Sequence, residues 1–249
     1  MSEEFKDHFS SQAATYTQFR PHYPASLFAF LASQCRQTVA AWDCATGNGQ
    51  AATGLAKHFE CVIATDASAQ QIEQSIESSR VEYRIATAEA SGLDDHSVDL
   101  VTVAQAAHWF DHDAFAAEVQ RVLRPGGVIA LWAYELERVA SDIDVVIDRL
   151  YDDILEGYWP PERRHIESGY TTIPFPFEQI ETPPYTLEVD WTVEQQLGYF
   201  RSWSSSNRYL RKNGSDPVSL IEAELAAIWG NSVRRVTWPL VLKVGRVPG

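Results

Sequence analysis

Short apolar runs recur through the first half of the chain, at residues 39–43, 61–65, 81–85, 98–104 and 128–133. Each has strand length and is rich in Val, Ile or Ala. The runs between them, 50–59, 69–78 and 114–123, carry helix formers with apolar residues at helical spacing. Short apolar strands alternating with helices predict a parallel sheet covered on both faces. The Arg124-Pro125-Gly126-Gly127 stretch reads as a turn between the last of these helices and the fifth strand.

The flanks follow other rhythms. Residues 4–19 predict a short helix bearing Phe5, Phe9, Tyr16 and Phe19. Pro21 and Pro24 break it, and a second helix starts at Pro24 or Ala25 with Leu27, Phe28, Phe30 and Leu31 inward. After Ala133, residues 142–159 predict an amphipathic helix that Pro160 and Pro161 end. Residues 160–186, rich in proline, aromatics and charge, read as a long connection or small cap. Residues 185–191 predict a sixth strand. Thr192 with Gln195 predicts a capping box for a helix to about Arg201. A helix from Asp216-Pro217 to Trp229 and a last strand at 236–244 follow, the strand weakened by Pro239.

The first strand ends at Asp43 and runs into Ala45-Thr46-Gly47-Asn48-Gly49 before a helix. Glycines there let the backbone take left-handed φ values and let a ligand approach closely. Two ligand classes fit. Gly47-x-Gly49-x-x-Ala52 with Asp66 matches a dinucleotide fingerprint. An acidic residue before a glycine turn also suits S-adenosylmethionine (SAM), which has no phosphate and carries a sulfonium. A pyrophosphate beside Asp43 would meet like charge, which favours SAM. Asp43, Asp66, Glu89 and Gln105 all fall at carboxyl ends of predicted strands, where such sheets bind ligands.

Composition narrows the partners. The 249 residues suffice for one large α/β domain, and 45% hydrophobic with 22% charged residues is ordinary for a globular chain. A net charge of −14 with no Lys/Arg cluster argues against a nucleic-acid surface. Cys35, Cys44 and Cys61 lack metal spacing and read as buried thiols in a reducing cytosol. No metal site is expected. No run has the length of a membrane span, and the acidic first residues do not resemble a signal peptide, so a cytoplasmic location is expected.

Six pieces occur in one order: Tyr16 to Pro24, Asp43 to Gln50, Ala64 to Ser68, Ala86 to Glu89, Gln105 to Phe110, and Leu123 to Gly127. Together they resemble a class I SAM-dependent methyltransferase, more narrowly the small-molecule group that includes the trans-aconitate methyltransferases. The match covers about the first 135 residues. It implies a Rossmann-like, mainly parallel seven-stranded sheet with helices on both faces and a small cap insertion after the fifth strand. The single domain would comprise N-terminal lid helices (1–35), a SAM-binding core (36–135), a cap or substrate insertion (136–186) and the C-terminal part of the sheet (187–249). The resemblance also implies roles. Asp43 and the backbone at Ala45 and Gly47 would hold the amino-acid end of SAM. Asp66 would bond the ribose hydroxyls, and Ala67 would line the ribose–adenine region. Ala88 and Glu89 would flank the adenine, and Gln105 would contact the methionine moiety. Tyr16 and Arg20 would close over the site. The family usually has glycine where this chain has Ala45.

Methyl transfer from a sulfonium needs alignment and water exclusion more than acid–base groups. The expected acceptor is a small molecule such as a carboxylic acid, which needs no base. His108, after the fourth strand, is the candidate base for acceptors that must lose a proton. Trp109 is a candidate pocket wall. Arg163, Arg164 and His165, in the cap, are candidates to meet an acidic acceptor. A Thr182-Pro183-Pro184-Tyr185 stretch superficially resembles a DNA amino-methyltransferase motif but falls in the wrong part of the fold. The rival readings are a non-catalytic SAM-binding or regulatory protein and an NAD(P)-dependent oxidoreductase. A monomer or homodimer is expected.

Overall fold

The five apolar runs form parallel strands: β1 (Ala40–Cys44), β2 (Cys61–Asp66), β3 (Val81–Ile85), β4 (Val98–Ala104) and β5 (Leu123–Tyr134). The computed structural model describes residues 21–249. The helix expected at 4–19, with Tyr16 and Arg20, lies outside them. Antiparallel to β5 runs β8 (Arg234–Arg246). Two further strands, β6 (Glu178–Ile180) and β7 (Tyr185–Trp191), both pair antiparallel with β8 on its outer side. The order across the sheet is β3-β2-β1-β4-β5-β8-β6, with β7 sharing the outer position. Eight strands therefore fill the seven expected positions, because the outermost one is shared between two segments.

Strand periodicity sorts the core. On β1, Trp42 and Cys44 face one layer and Ala41 the other. Helices α1 (Ala25–Gln34) and α2 (Gln50–Leu55) cover the Ala41 face through Leu27, Leu31 and Leu55, with Trp132 of β5 buried beneath them. Beyond α3 (Ala69–Glu73), α4 (His112–Val122) covers the Trp42 face through Phe115, Val119 and Val122. A third apolar cluster lies over β7 and β8. There α5 (Ser141–Asp148), α7 (Val193–Ser202) and α9 (Glu222–Trp229) pack around Trp191, Val236 and Trp238.

Several elements differ from the sequence expectation, each for a local reason. The helix expected at 69–78 stops at Glu73. Beyond it the Ile76 N–H donates to Asn48 O and the Tyr83 hydroxyl donates to Ile76 O at 2.7 Å, so the chain bends back onto the glycine turn. The helix expected at 142–159 is α5 followed by one π-helical stretch, Arg149–Ile154, in which Leu155 N–H reaches Leu150 O. Residues 124–127 form an irregular start to β5 rather than a separate turn, with Gly126 at φ +77°. The helix expected from Asp216 is a 3₁₀ turn, Pro217–Leu220, and then α9. The expected capping box forms at Thr192 and Gln195. A short α6 (Arg164–Glu167) lies in the cap, and α8 (Ser204–Asn213) follows α7 without having been expected, since its residues carry no apolar stripe. Pro239 is accommodated in β8 opposite Thr186, and its carbonyl accepts from Glu135 N–H.

Gly54 shows how tightly α2 meets α1. A Cβ there would come 2.3 Å from Phe28 Cε2, and Phe28 is buried. Gly54→Ala raises helix propensity by about 1 kcal/mol. It must also displace a core ring, which costs about 1–3 kcal/mol. A net loss of stability in urea denaturation is expected; a gain would mean that Phe28 moves freely.

Candidate active site

The glycine turn is held from below by a buried carboxylate. Asp43 lies on the face of β1 that α2 covers and is 0% exposed. Thr46, in the turn, donates its hydroxyl to Oδ2 at 2.5 Å, and Thr102, its register partner on β4, donates to Oδ1 at 2.7 Å. The Ala52 N–H in the first turn of α2 also serves this carboxyl. Burial pushes Asp43 up to about 6, against the pull of these donors. The sequence suggested a charge at the mouth of the cradle. The structure sets that charge beneath the turn, with both oxygens occupied by the protein.

Above it the turn takes the conformations its glycines permit, φ +57° at Gly47 and +87° at Gly49. A Cβ on Gly49 would lie 2.0 Å from the Tyr83 hydroxyl, so that position is closed to other residues. At Gly47 the nearest atom among the described residues is Gln71 Oε1, 3.7 Å from where a Cβ would stand, so no described atom crowds that position. Ala45 also has a left-handed φ, +52°, which costs an alanine about 1–2 kcal/mol relative to a right-handed backbone. Asp66 borders the turn at the end of β2. Its Oδ2 accepts from Gly47 N–H and its Oδ1 from Ser68 N–H, both at 2.9 Å. The Gly47 N–H expected to face a ligand is thus bonded to Asp66. Ala67 is half-buried between Asp66 and Ser68.

Two neighbouring loops complete this rim. Ala88 is buried in the core beneath the loop after β3, and Glu89 Oε1 accepts from Asp111 N–H at the start of α4. Gln105, just past β4, has φ +59° and donates its N–H to Trp132 O at 2.8 Å. Its side-chain Oε1 is buried with no partner among the described residues.

A second group of polar side chains lies between this rim and the cap. His108 is buried, with Nδ1 3.1 Å from the Tyr170 hydroxyl. Burial first, and then the Arg163 charge, lower His108 to about 3. The imidazole is therefore neutral at pH 7 and ill-suited to take a proton. Trp109 packs its ring 4.9 Å from that of His108. Arg163 stacks 4.3 Å over Trp159 and 5.1 Å over Tyr151, and its Nε donates to the Tyr151 hydroxyl at 2.6 Å. That hydroxyl donates onward to Glu167 at 2.6 Å. The Arg163 Nη groups make no hydrogen bond to a described residue. Its neighbours in sequence diverge from it. Arg164 is exposed, and His165 is tied by Nδ1 to the Thr172 hydroxyl at 2.7 Å, its ring against His112. Thr46, Thr102, Tyr151 and Tyr170 were not foreseen. Thr46, inside the turn, carried the one usable signal; the others meet the site only through the fold.

Comparison with known proteins agrees with this fold. Residues 42–131 match the Methyltransferase domain family. A protein of Dictyostelium discoideum, provisionally named as a methyltransferase, is 35% identical over 226 residues, covering 89% of this chain and 86% of that protein. A solved structure from Anaeromyxobacter dehalogenans, described provisionally as a type II methyltransferase, is 46% identical with a TM-score of 0.88, covering 93% of this chain and all of the other. The fold also matches Haemonchus contortus phosphoethanolamine N-methyltransferase 2, solved with phosphomonomethylethanolamine and S-adenosylhomocysteine. That match has 14% identity and a TM-score of 0.51, over 98% of this chain and 58% of that one. Among the described residues no group of acidic, histidine or cysteine side chains could hold a metal, and no helix is long and apolar enough to cross a membrane.

The raised Asp43 has a signed consequence for stability. Its contribution is fully present below the unfolded value near 3.8 and is lost as pH rises through about 6. Asp43→Asn has no such loss. Its stability relative to the parent is expected to rise between pH 4 and pH 7 by up to about 3 kcal/mol, then level off. Urea midpoints of both proteins across that range check this; a flat difference would mean that Asp43 is solvated.

Proposed function

The chain belongs to the class I SAM-dependent methyltransferases, and we propose that its acceptor is a small carboxylic acid held at Arg163. The observation that carries this reading is the Arg163 guanidinium. It is fixed by Trp159, Tyr151 and the Tyr151 hydroxyl, its charge is felt at His108 and Tyr170, and its Nη groups make no hydrogen bond to a described residue. A planar guanidinium so placed suits a carboxylate.

The turn fits the cofactor. Only Gln71 Oε1 among the described residues comes within 4 Å of where a Gly47 Cβ would stand, Asp66 borders the turn at the end of β2, and Gln105 Oε1, just past β4, is a buried acceptor with no partner among the described residues. SAM supplies a methyl carbon activated by its sulfonium, and transfer to a carboxylate oxygen leaves a neutral thioether and a methyl ester with no proton to remove. In this reading Asp66 bonds the ribose hydroxyls, with Ala67 beside them and Ala88 and Glu89 forming the far wall. Gln105 meets the methionine portion. Ala45 and Gly47 provide backbone close to the ligand, and Asp43 acts through them by fixing the turn and placing negative charge beneath a cationic ligand. His108 serves as a neutral partner of Tyr170, with Trp109 beside it as wall. Arg164 and His165 stand outside the acceptor contact.

Removing the Asp66 carboxylate by Asp66→Ala should weaken SAM binding by about 1–3 kcal/mol, roughly 5- to 150-fold in Kd by calorimetric titration. Unchanged affinity would remove the ribose assignment. Arg163→Ala should lower kcat/KM for labelled methyl transfer to small acids by about 10- to 100-fold while the SAM Kd stays put. A loss that follows SAM affinity instead would place Arg163 on the cofactor side. Tight SAM binding with no transfer to any acid, phenol or amine would favour a non-catalytic role.

A further inference from the structure

The edge of the sheet opposite the glycine turn holds a second concave site. At the amino ends of β1, β4 and β5 lies a depression of about 390 Å³, with Arg36, His96, Asp99, Arg124, Gly126 and Gly127 in its wall. Asp99, near the start of β4, is buried. Its Oδ2 accepts from the Val39 and Ala40 N–H groups at 2.9 and 3.0 Å, and its Oδ1 accepts from Arg124 Nη1 at 2.8 Å. The carboxylate thus anchors Arg124 by one nitrogen, and the other guanidinium nitrogens of Arg124 bond to no described residue. Arg36 comes from the segment before β1. A Cβ on Gly126, where φ is +77°, would stand 2.8 Å from Arg36 Cζ, so the loop leaves that place to the guanidinium. No hydrogen bond or ion pair ties Arg36 to a described residue. A third guanidinium, Arg246, donates to Gly126 O at 2.7 Å and to Gln34 O at 2.8 Å. Three positive charges therefore gather around one carboxylate, in a chain whose net charge is −14. Asp95, close by in the chain, is paired with Arg121 at 2.6 Å.

We propose that this depression is a second ligand site, and that it binds a phosphate monoester between Arg36 and Arg124. Guanidinium groups are the side chains best matched to phosphate oxygens, and two of them here have nitrogens without a protein partner. His96 separates phosphate from carboxylate. Its backbone is left-handed, φ +51°, and its Nδ1 lies 2.9 Å from Leu123 O. A carbonyl only accepts, so Nδ1 carries the hydrogen and Nε2 of the neutral ring offers a lone pair. A phosphate monoester has its second pKa near about 6, so near neutral pH it can still share a proton with such a nitrogen. A carboxylate at that pH offers acceptors alone. The volume falls within the range of small-molecule pockets and leaves room for the organic part of the ester. The site is separate from methyl transfer: β4 runs from Asp99 to its end before Gln105, about 20 Å of strand. The proposal therefore does not depend on where the acceptor binds.

The test titrates the full chain, saturated with S-adenosylhomocysteine, with phenyl phosphate in a calorimeter at constant ionic strength. Binding at one site is expected in the millimolar range or tighter, and benzoate should bind at least about tenfold more weakly. Arg36→Gln should weaken phenyl phosphate by about tenfold or more, and Arg36→Lys by less, since a point charge replaces the fork. Arg36 is exposed and bonded to no described residue, so both variants should keep the parent SAM Kd. Arg163→Ala should leave phenyl phosphate binding as it was. Crystals of the unaltered protein soaked in phenyl phosphate should show its phosphate within hydrogen-bond distance of both Arg36 and Arg124. No binding at millimolar concentration, benzoate as tight as phenyl phosphate, or an affinity untouched by Arg36→Gln would overturn the proposal. So would an affinity lost with Arg163→Ala, which would put the ligand on the acceptor side. Density on Arg36 without Arg124 would mean an adventitious ion only and would overturn it as well.

Discussion

A single buried carboxylate sets the geometry of this molecule's working edge. Asp43 ties together three pieces of structure at one point: the turn through Thr46, the neighbouring strand through Thr102 and the first turn of α2 through Ala52. Burying a charge is expensive, and donors aimed at it are what make it tolerable. The cost is visible in the raised pKa, and the return is a turn held with left-handed backbone at Ala45, Gly47 and Gly49. Asp66 then locks that turn from the side, by accepting from Gly47 N–H. The cradle is thus preformed from two carboxylates with different duties, one beneath the backbone and one at its rim.

The proposed acceptor side is built by other means. Here the scaffold is aromatic: Tyr151, Trp159, Trp203 and Tyr199 stack in sequence beneath the cap helices, and Arg163 is clamped on the first two. Such rings supply rigid walls at small entropic cost. Polar groups at this end are few and buried, so each one constrains what can be bound. The proposed cofactor and acceptor halves would meet near Gln105 and His108, both just past β4, which pairs with β1 and β5 in the middle of the sheet. That position agrees with ligand binding at carboxyl ends of parallel strands.

The sequence exposed the cofactor half far better than the acceptor half. Strands β1 to β5 follow from their apolar runs, and the sites of Asp43, Asp66, Glu89 and Gln105 follow from where those runs stop. The direction of the Asp43 side chain did not follow, because it depends on the donors that Thr102 and Ala52 bring from other elements. Alternation along β1 puts Asp43 on the α2 face, yet only the assembled layers show that this face is closed. In the cap, Arg163 could not be told from Arg164 and His165 by composition. Stacking on Trp159, four residues earlier in the chain but fixed only after the π-helical turn, separates them. Arg36, Arg124 and Arg246 were invisible as a group for a similar reason: they are far apart in the chain and meet only at the amino ends of the strands. Helix α8 escaped notice because its face is polar, and its burial at Ser205 and Ser206 arises from packing alone.

The most direct measurement is a crystal structure of the protein with S-adenosylhomocysteine at neutral pH. The account predicts ribose hydroxyls on Asp66 and a ligand backbone lying over Gly47, while Asp43 keeps its bonds to Thr46 and Thr102 and touches no ligand atom. An Asp43 carboxylate turned out to contact the ligand, or a ligand seated away from the turn, would contradict it.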